Sequence, residues 1–260
     1  MGILIDRPAP GILRLLINRP DKRNAINHDV RQALIDALTA ARGDEKTRAI
    51  VIGGVAGTFS AGGDLASMAD LDEGGARQRM QHIHRLCRLI EQMPVPVVAA
   101  VEGFCAGAGV GLALLTDRIV AGPSSRFLFP FMRLGLLPDW GSLQTLPARI
   151  GVAAARRVML GDEVISAEQA ARIGLLDELV DTDVMAAAIE HAERLAALPQ
   201  VAFARMKRRL HQPSQSFAEE LQREEDDQAV LLLAEDFREG FTAFAEKRPP
   251  LFSDRVGRDS

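Results

Sequence analysis

Cysteine is nearly absent: 260 residues contain only Cys87 and Cys105. Two cysteines cannot build a disulfide framework, and each sits in an apolar stretch that suggests a buried thiol in a reducing, cytoplasmic compartment. Basic charge is not in excess either, since 31 Lys and Arg face 35 Asp and Glu for a net charge of −4. Nucleic-acid binding, which needs a basic face, is therefore not expected, and any anionic ligand requires a local basic patch. No apolar run approaches the roughly 18 residues of a membrane-spanning helix. Charge at Asp6 and Arg7 comes too early for a signal peptide, so neither membrane insertion nor export is expected. His82 and His84 stand two apart with no partnering cysteine or carboxylate cluster, which gives no metal-ligand spacing. Internal repeats and low-complexity tracts are also missing, and only residues 254–260 read as a frayed tail.

What is present is a large apolar fraction, 47%, enough for a substantial core. Gly11 to Ile17, Arg48 to Gly53, Val95 to Val101 and Arg118 to Ala121 are apolar runs of strand length. They alternate with helical periodicity over His28 to Ala41, Arg77 to Met93 and Gly107 to Leu115. Such alternation predicts an α/β fold with largely parallel strands. After Gly161 the character changes, with helices expected at Ser166 to Ile173, Asp183 to Ala197, Val201 to His211 and Phe217 to Phe244. Pro199 interrupts the helical pattern and divides the chain into a core region, 1–198, and a helical C-terminal region, 199–260.

Two turns of small residues follow strand-like runs. Gly103-Phe104-Cys105-Ala106-Gly107-Ala108-Gly109-Val110-Gly111 leads into Leu112 to Leu115, and Ser60-Ala61-Gly62-Gly63-Asp64 follows Ala49 to Gly53. A turn that opens a helix exposes unpaired backbone N–H groups, and two donors from separate turns can converge on one carbonyl oxygen. The glycines equally suit tight strand-to-helix packing alone.

Asn18-Arg19-Pro20-Asp21-Lys22-Arg23-Asn24-Ala25, Phe59 to Leu65, Gly103 to Gly111, Gly135 to Asp139 and the closing stretch Arg238 to Arg248 follow one another in an order and spacing that resembles the crotonase (enoyl-CoA hydratase/isomerase) superfamily. The resemblance runs nearly end to end. It implies a ClpP-like spiral of ββα units, C-terminal helices that assemble homotrimers or hexamers, and an acyl-CoA substrate with no permanently bound cofactor. The two oxyanion donors it implies are the N–H groups of Gly63 and Ala108. Coenzyme A contacts carry over to Lys22, Arg23 and Ala25, to Ala61, Asp64 and Leu65, and to Phe244 and Lys247 at the adenine end, often from a neighbouring subunit. Lys247 beside Glu246 and Arg248 also reads as an ordinary solvated charge.

Acid/base chemistry is where this chain departs from the family. The two glutamates that position water in family hydratases fall at Gly111 and Phe131, neither of which can transfer a proton. Asp139 matches the lone carboxylate of family isomerases, including ring-epoxide isomerases, and is the expected acid/base. As an Asp just before the helix Ser142 to Ile150, it is also a candidate N-cap. His84 lies on the expected inward stripe with Met80, Ile83, Cys87 and Ile90, with His82 pointing away. It is either a core residue or, with Asp139, the counterpart of the His and Asp of aryl-CoA dehalogenases, whose tryptophan falls here at Phe131. The expected activity is isomerisation of an enoyl-CoA double bond. The alternatives are an enoyl-CoA hydratase, a dehalogenase- or hydrolase-like enzyme, and a catalytically silent acyl-CoA binder.

Overall fold

A computed structural model describes residues 2–161 and 163–253, so the tail at 254–260 lies outside the described residues. In chain order the elements are β1 (Ile3–Ala9), β2 (Ile12–Ile17), α1 (His28–Arg42), β3 (Ala49–Gly54), α2 (Glu73–Glu91), β4 (Val97–Val101), β5 (Phe104–Ala106), α3 (Ala108–Leu114), β6 (Arg118–Ala121) and β7 (Arg126–Leu128). There follow α4 (Ser142–Ile150), α5 (Val152–Gly161), β8 (Ile165–Ser166), α6 (Ala167–Arg172), β9 (Glu178–Leu179), α7 (Val184–Ala196), α8 (Gln200–His211), α9 (Phe217–Leu231) and α10 (Glu235–Glu246).

Six strands form one sheet in the order β1-β2-β3-β4-β6-β9, parallel apart from the β1–β2 hairpin. A parallel sheet is covered on both faces, so its strands are apolar without alternation. The runs AIVIGG in β3 and VVAAV in β4 have that character. Ile50, Ile52, Val97 and Ala99 face a core closed by α1 and α2. Ala49, Val51, Val98 and Ala100 face a second core where Ala188, Ala192 and Ala196 of α7 pack on the sheet. A three-stranded sheet, β5-β7-β8, lies beyond the main one. The chain crosses between sheets at Glu102–Gly103, directly after β4, and the Gly-rich turn that follows β5 is buried against the Ser60 turn.

Two departures from the sequence pattern have local causes. The α2 helix begins at Glu73 rather than Arg77, because the Asp72 side chain accepts the Gly75 N–H at 2.7 Å and caps it four residues early. The expected single helix Phe217 to Phe244 is two, broken at Leu232–Ala234. Neither glycine nor proline marks that break. Residues 219–227 of α9 are drawn back onto α8 by Arg205–Asp227 at 2.5 Å and by Arg209–Glu220.

The α8 helix is tied to the sheet by a buried ion pair. Lys207, 4% exposed, donates to Asp117 Oδ2 at 2.8 Å, and the same oxygen accepts the Val97 N–H at the start of β4 at 2.8 Å. Removing one member of a buried pair strands the other charge. Lys207→Ala is therefore expected to cost about 3 kcal/mol of stability, read as a lower midpoint in urea unfolding. An unchanged midpoint would show that Asp117 is satisfied without the lysine.

Candidate active site

Asn24 fixes the first loop of the site. It is wholly buried with a left-handed φ of 56°, donates from Nδ2 to the Val55 and Thr58 carbonyls at 2.9 and 2.6 Å, and accepts the Arg19 N–H at 3.0 Å. The loop then runs beside the Ser60–Asp64 turn. Ala61 N–H donates to the Arg23 carbonyl at 2.9 Å and Ile26 N–H to that of Gly62 at 2.7 Å. On its other side the turn is joined to β5, with Ala106 N–H donating to Ser60 O at 3.0 Å and Ser60 N–H to Phe104 O at 2.9 Å. At Gly62, with φ +106°, a Cβ would stand 2.9 Å from the Ala106 carbonyl oxygen and 3.7 Å from the Ala108 nitrogen. The two turns thus interlock, and only a glycine allows it. Among the described residues, the N–H groups of Gly63 and Ala108 have no hydrogen-bond partner.

Asp139 stands in the segment that follows β7. It does not cap α4: the N-cap is Gly141, without a side-chain bond, and Asp139 offers the helix only its backbone carbonyl, which accepts the Ser142 N–H at 3.0 Å. Its Oδ1 is buried and makes no hydrogen bond. Burial pushes the Asp139 pKa above the ordinary carboxylate range, opposed first by the Arg79 guanidinium, then by the residue's own backbone N–H, and less by His84 and the Arg31 guanidinium. Next to it Trp140 is 1% exposed and packs against Gly111, and Phe131 is buried close to the Gly107 turn.

The histidine faces are the reverse of the expectation. His84 is exposed, whereas His82 is half-buried, stacked on His28 at 4.3 Å between ring centroids. His84 is therefore not a core residue. For Cys87, on the same helix, burial first, and the Asp139 charge second, push the thiol up to about 12. Cys105 is buried and raised by burial alone. Both thiols are protonated at neutral pH and inert as nucleophiles.

Two guanidinium groups complete the surroundings of Asp139, and sequence reasoning missed both. Arg79 of α2 is half-buried, with its Nη2 3.5 Å from the position a Cβ on Gly63 would take. Arg31 of α1 is 3% exposed. The signal for Arg31 was legible, because it falls in the arc of Val30, Leu34, Ile35 and Leu38, where an arginine is the polar exception.

The residues expected to meet coenzyme A form one group and an outlier. Lys22 and Arg23 are exposed on the first loop, Ala25 is half-buried behind them, and Ala61 and Leu65 are exposed on the turn it is bonded to. The Arg23 guanidinium lies 6.0 Å from the Phe104 ring centroid. Asp64 pairs with Arg19 at 2.9 Å, which clamps loop to turn. Phe244 and Lys247 are exposed at the end of α10, and no hydrogen bond, ion pair or ring contact joins either to the turns. Among the described residues no group of His, Cys, Asp and Glu could hold a metal, and no helix is long and apolar enough to cross a membrane.

Unpartnered N–H groups on two interlocked turns, with a carboxylate of raised pKa on the segment whose Trp140 packs against Gly111, define a protein able to hold a carbonyl oxygen while a proton moves beside it. Comparison with known proteins agrees. A family model described as enoyl-CoA hydratase/isomerase matches residues 8–255. A probable enoyl-CoA hydratase of Rhodobacter capsulatus is 39% identical over 94% of this chain and 95% of its own. The 1,2-epoxyphenylacetyl-CoA isomerase of Escherichia coli is 31% identical over 98% and 100%. The crystal structure of a putative enoyl-CoA hydratase from Streptomyces coelicolor superposes with a TM-score of 0.92 at 32% identity, covering 98% of this chain and 95% of that one. The chain belongs to the enoyl-CoA hydratase/isomerase family of the crotonase superfamily, and its fold is the crotonase fold.

Proposed function

We propose that this family member isomerises the double bond of an enoyl-CoA thioester with Asp139 as its single acid/base. The ionised carboxylate takes a proton from C2 of a 3-enoyl-CoA. The C–H electron pair moves into the thioester, and the resulting dienolate oxygen is held by the Gly63 and Ala108 N–H groups. Asp139 then returns the proton to C4, which leaves the double bond between C2 and C3. One carboxylate serves both transfers, so no second acid/base group is required.

The observation that carries this reading is the state of Asp139: partly desolvated, free of any capping bond, with Oδ1 unpartnered. A raised pKa brings the group nearer to the basicity needed for a carbon acid. Relatives bear the names of hydratases as well as isomerases. Against hydration here stand Gly111 and Phe131, where the resemblance puts the water-positioning glutamates. Lys22 and Arg23 are the local basic patch for the coenzyme A phosphates. Exposed Phe217, Leu233, Phe241 and Phe244 on α9, α10 and their junction give the apolar surface of a homotrimer or hexamer. In that assembly Phe244 and Lys247 reach the adenine of a neighbouring subunit's ligand.

Incubation with a 3-enoyl-CoA in deuterated water tests the reading. The expected result is conversion to the 2-enoyl-CoA with deuterium entering at C2 and C4. Because Asp139 must be ionised to accept the proton, the rate is expected to rise with pH through its raised pKa and then level. Absence of both conversion and exchange would overturn the proposal.

A further inference from the structure

The proton shuttle uses neither of the two guanidiniums beside Asp139. Arg31 makes a single hydrogen bond, from Nε to His82 Nδ1 at 3.2 Å, and its Nη1 is buried without a partner. The chain of contacts behind it continues, since His82 Nε2 lies 3.0 Å from Gln32 Oε1. Burial lowers the His82 pKa and keeps the ring neutral, so its Nδ1 accepts from Arg31 and its Nε2 donates to Gln32. Stacking on His28 holds the ring in place. A buried arginine is thereby oriented by three neighbouring side chains, none of which offers it a negative charge.

Arg79 is in a similar position. Its one hydrogen bond is a long contact from Nη1 to Ser67 Oγ at 3.4 Å, and among the described residues neither arginine forms an ion pair. The two cations repel one another; both are drawn at longer range toward Asp139, and Arg79 also toward Asp64. Burial pushes Arg31 down to about 10, which still leaves it a cation at neutral pH. Asp139, and for Arg79 also Asp64, reaches the pair only at longer range, and the buried Arg31 Nη1 is left without an acceptor, which is unfavourable unless a ligand supplies one. A plain hydrocarbon acyl chain would desolvate both groups further and satisfy neither. A carboxylate would accept from both.

We infer that the acyl group of the substrate carries a carboxylate of its own, held by Arg31 Nη1 and Arg79, so that the protein acts on coenzyme A thioesters of unsaturated dicarboxylic acids. This rests on the acyl-CoA reading above. Arg31 is the buried anchor set by His82. Arg79, whose Nη2 stands 3.5 Å from where a Cβ on Gly63 would be, meets the carboxylate from the side of that turn.

The test compares 3-enedioyl-CoA thioesters of six to eight carbons with 3-enoyl-CoA thioesters of equal length, measuring kcat/KM for isomerisation and affinity by calorimetry. The wild type is expected to favour the carboxylated series by about tenfold or more at its best length. Arg79→Gln and Arg31→Met are each expected to reduce that preference about tenfold, mainly through KM. Arg79 is half-exposed, so its variant reports even if Arg31→Met fails to fold. Equal or better use of the plain thioesters by the wild type, or a preference unmoved by Arg79→Gln, would overturn the inference while leaving the acyl-CoA assignment standing. Failure of both series to bind would remove both.

Discussion

Asp139→Asn is expected to lower isomerisation of a 3-enoyl-CoA by about 10²-fold or more and to abolish deuterium exchange at C2, since a positioned acid/base contributes roughly 10²–10⁴-fold. The fold itself is expected to gain. A carboxylate whose pKa is higher in the folded chain than in the unfolded one binds more protons when folded, so stability falls as pH rises through the interval between the two values. Above that interval the cost is complete, and an uncharged amide removes it. The variant should therefore melt at a higher temperature than the wild type above that interval, with the difference vanishing in acid. Full activity with a lower melting temperature would return Asp139 to a purely structural role.

The second large effect concerns hydration. Turnover of crotonyl-CoA to the hydroxyacyl product is expected to lie below the ordinary enzymatic range of roughly 1–10³ per second, because the resemblance puts Gly111 and Phe131 where the hydratases carry their two glutamates. Gly111→Glu alone is not expected to restore it. A Cβ at Gly111 would fall 2.4 Å from Trp140 Cβ and 3.0 Å from its Cγ, and Trp140 has a left-handed φ of 56° that leaves its backbone little room to retreat. Even Gly111→Ala is expected to cost about 1–3 kcal/mol through overpacking. A well-folded Gly111→Glu protein that hydrates crotonyl-CoA in the ordinary range would sink this account.

How much of this was legible in the sequence depends on the range of the interaction involved. The strands β2, β3, β4 and β6 and the Gly-rich turns were readable because continuous apolar runs and glycines act within a few residues of themselves. The edge strand β1 was passed over: Asp6, Arg7 and Pro8 obscure it, and it needs only Ile3 buried. Asp139 was found, but whether it capped a helix depended on a left-handed Gly141 that the sequence does not announce. On α2 the face was misjudged: Ile83, Leu86 and Ile90 carry the burial, and His84, one residue round from Ile83, is solvent-exposed. Arg79 was illegible in principle, since its partners in space, Gly63 and Asp139, are contributed by segments 16 and 60 residues away.

Trp140 is the only tryptophan of a chain that contains no tyrosine. Its indole is sealed from solvent immediately after the proposed base. Intrinsic fluorescence of this protein is consequently a single-site signal. Emission from one ring, undiluted by others, reports on ligand arrival at Asp139, so titrations and stopped-flow traces with thioesters can be followed without attaching a dye.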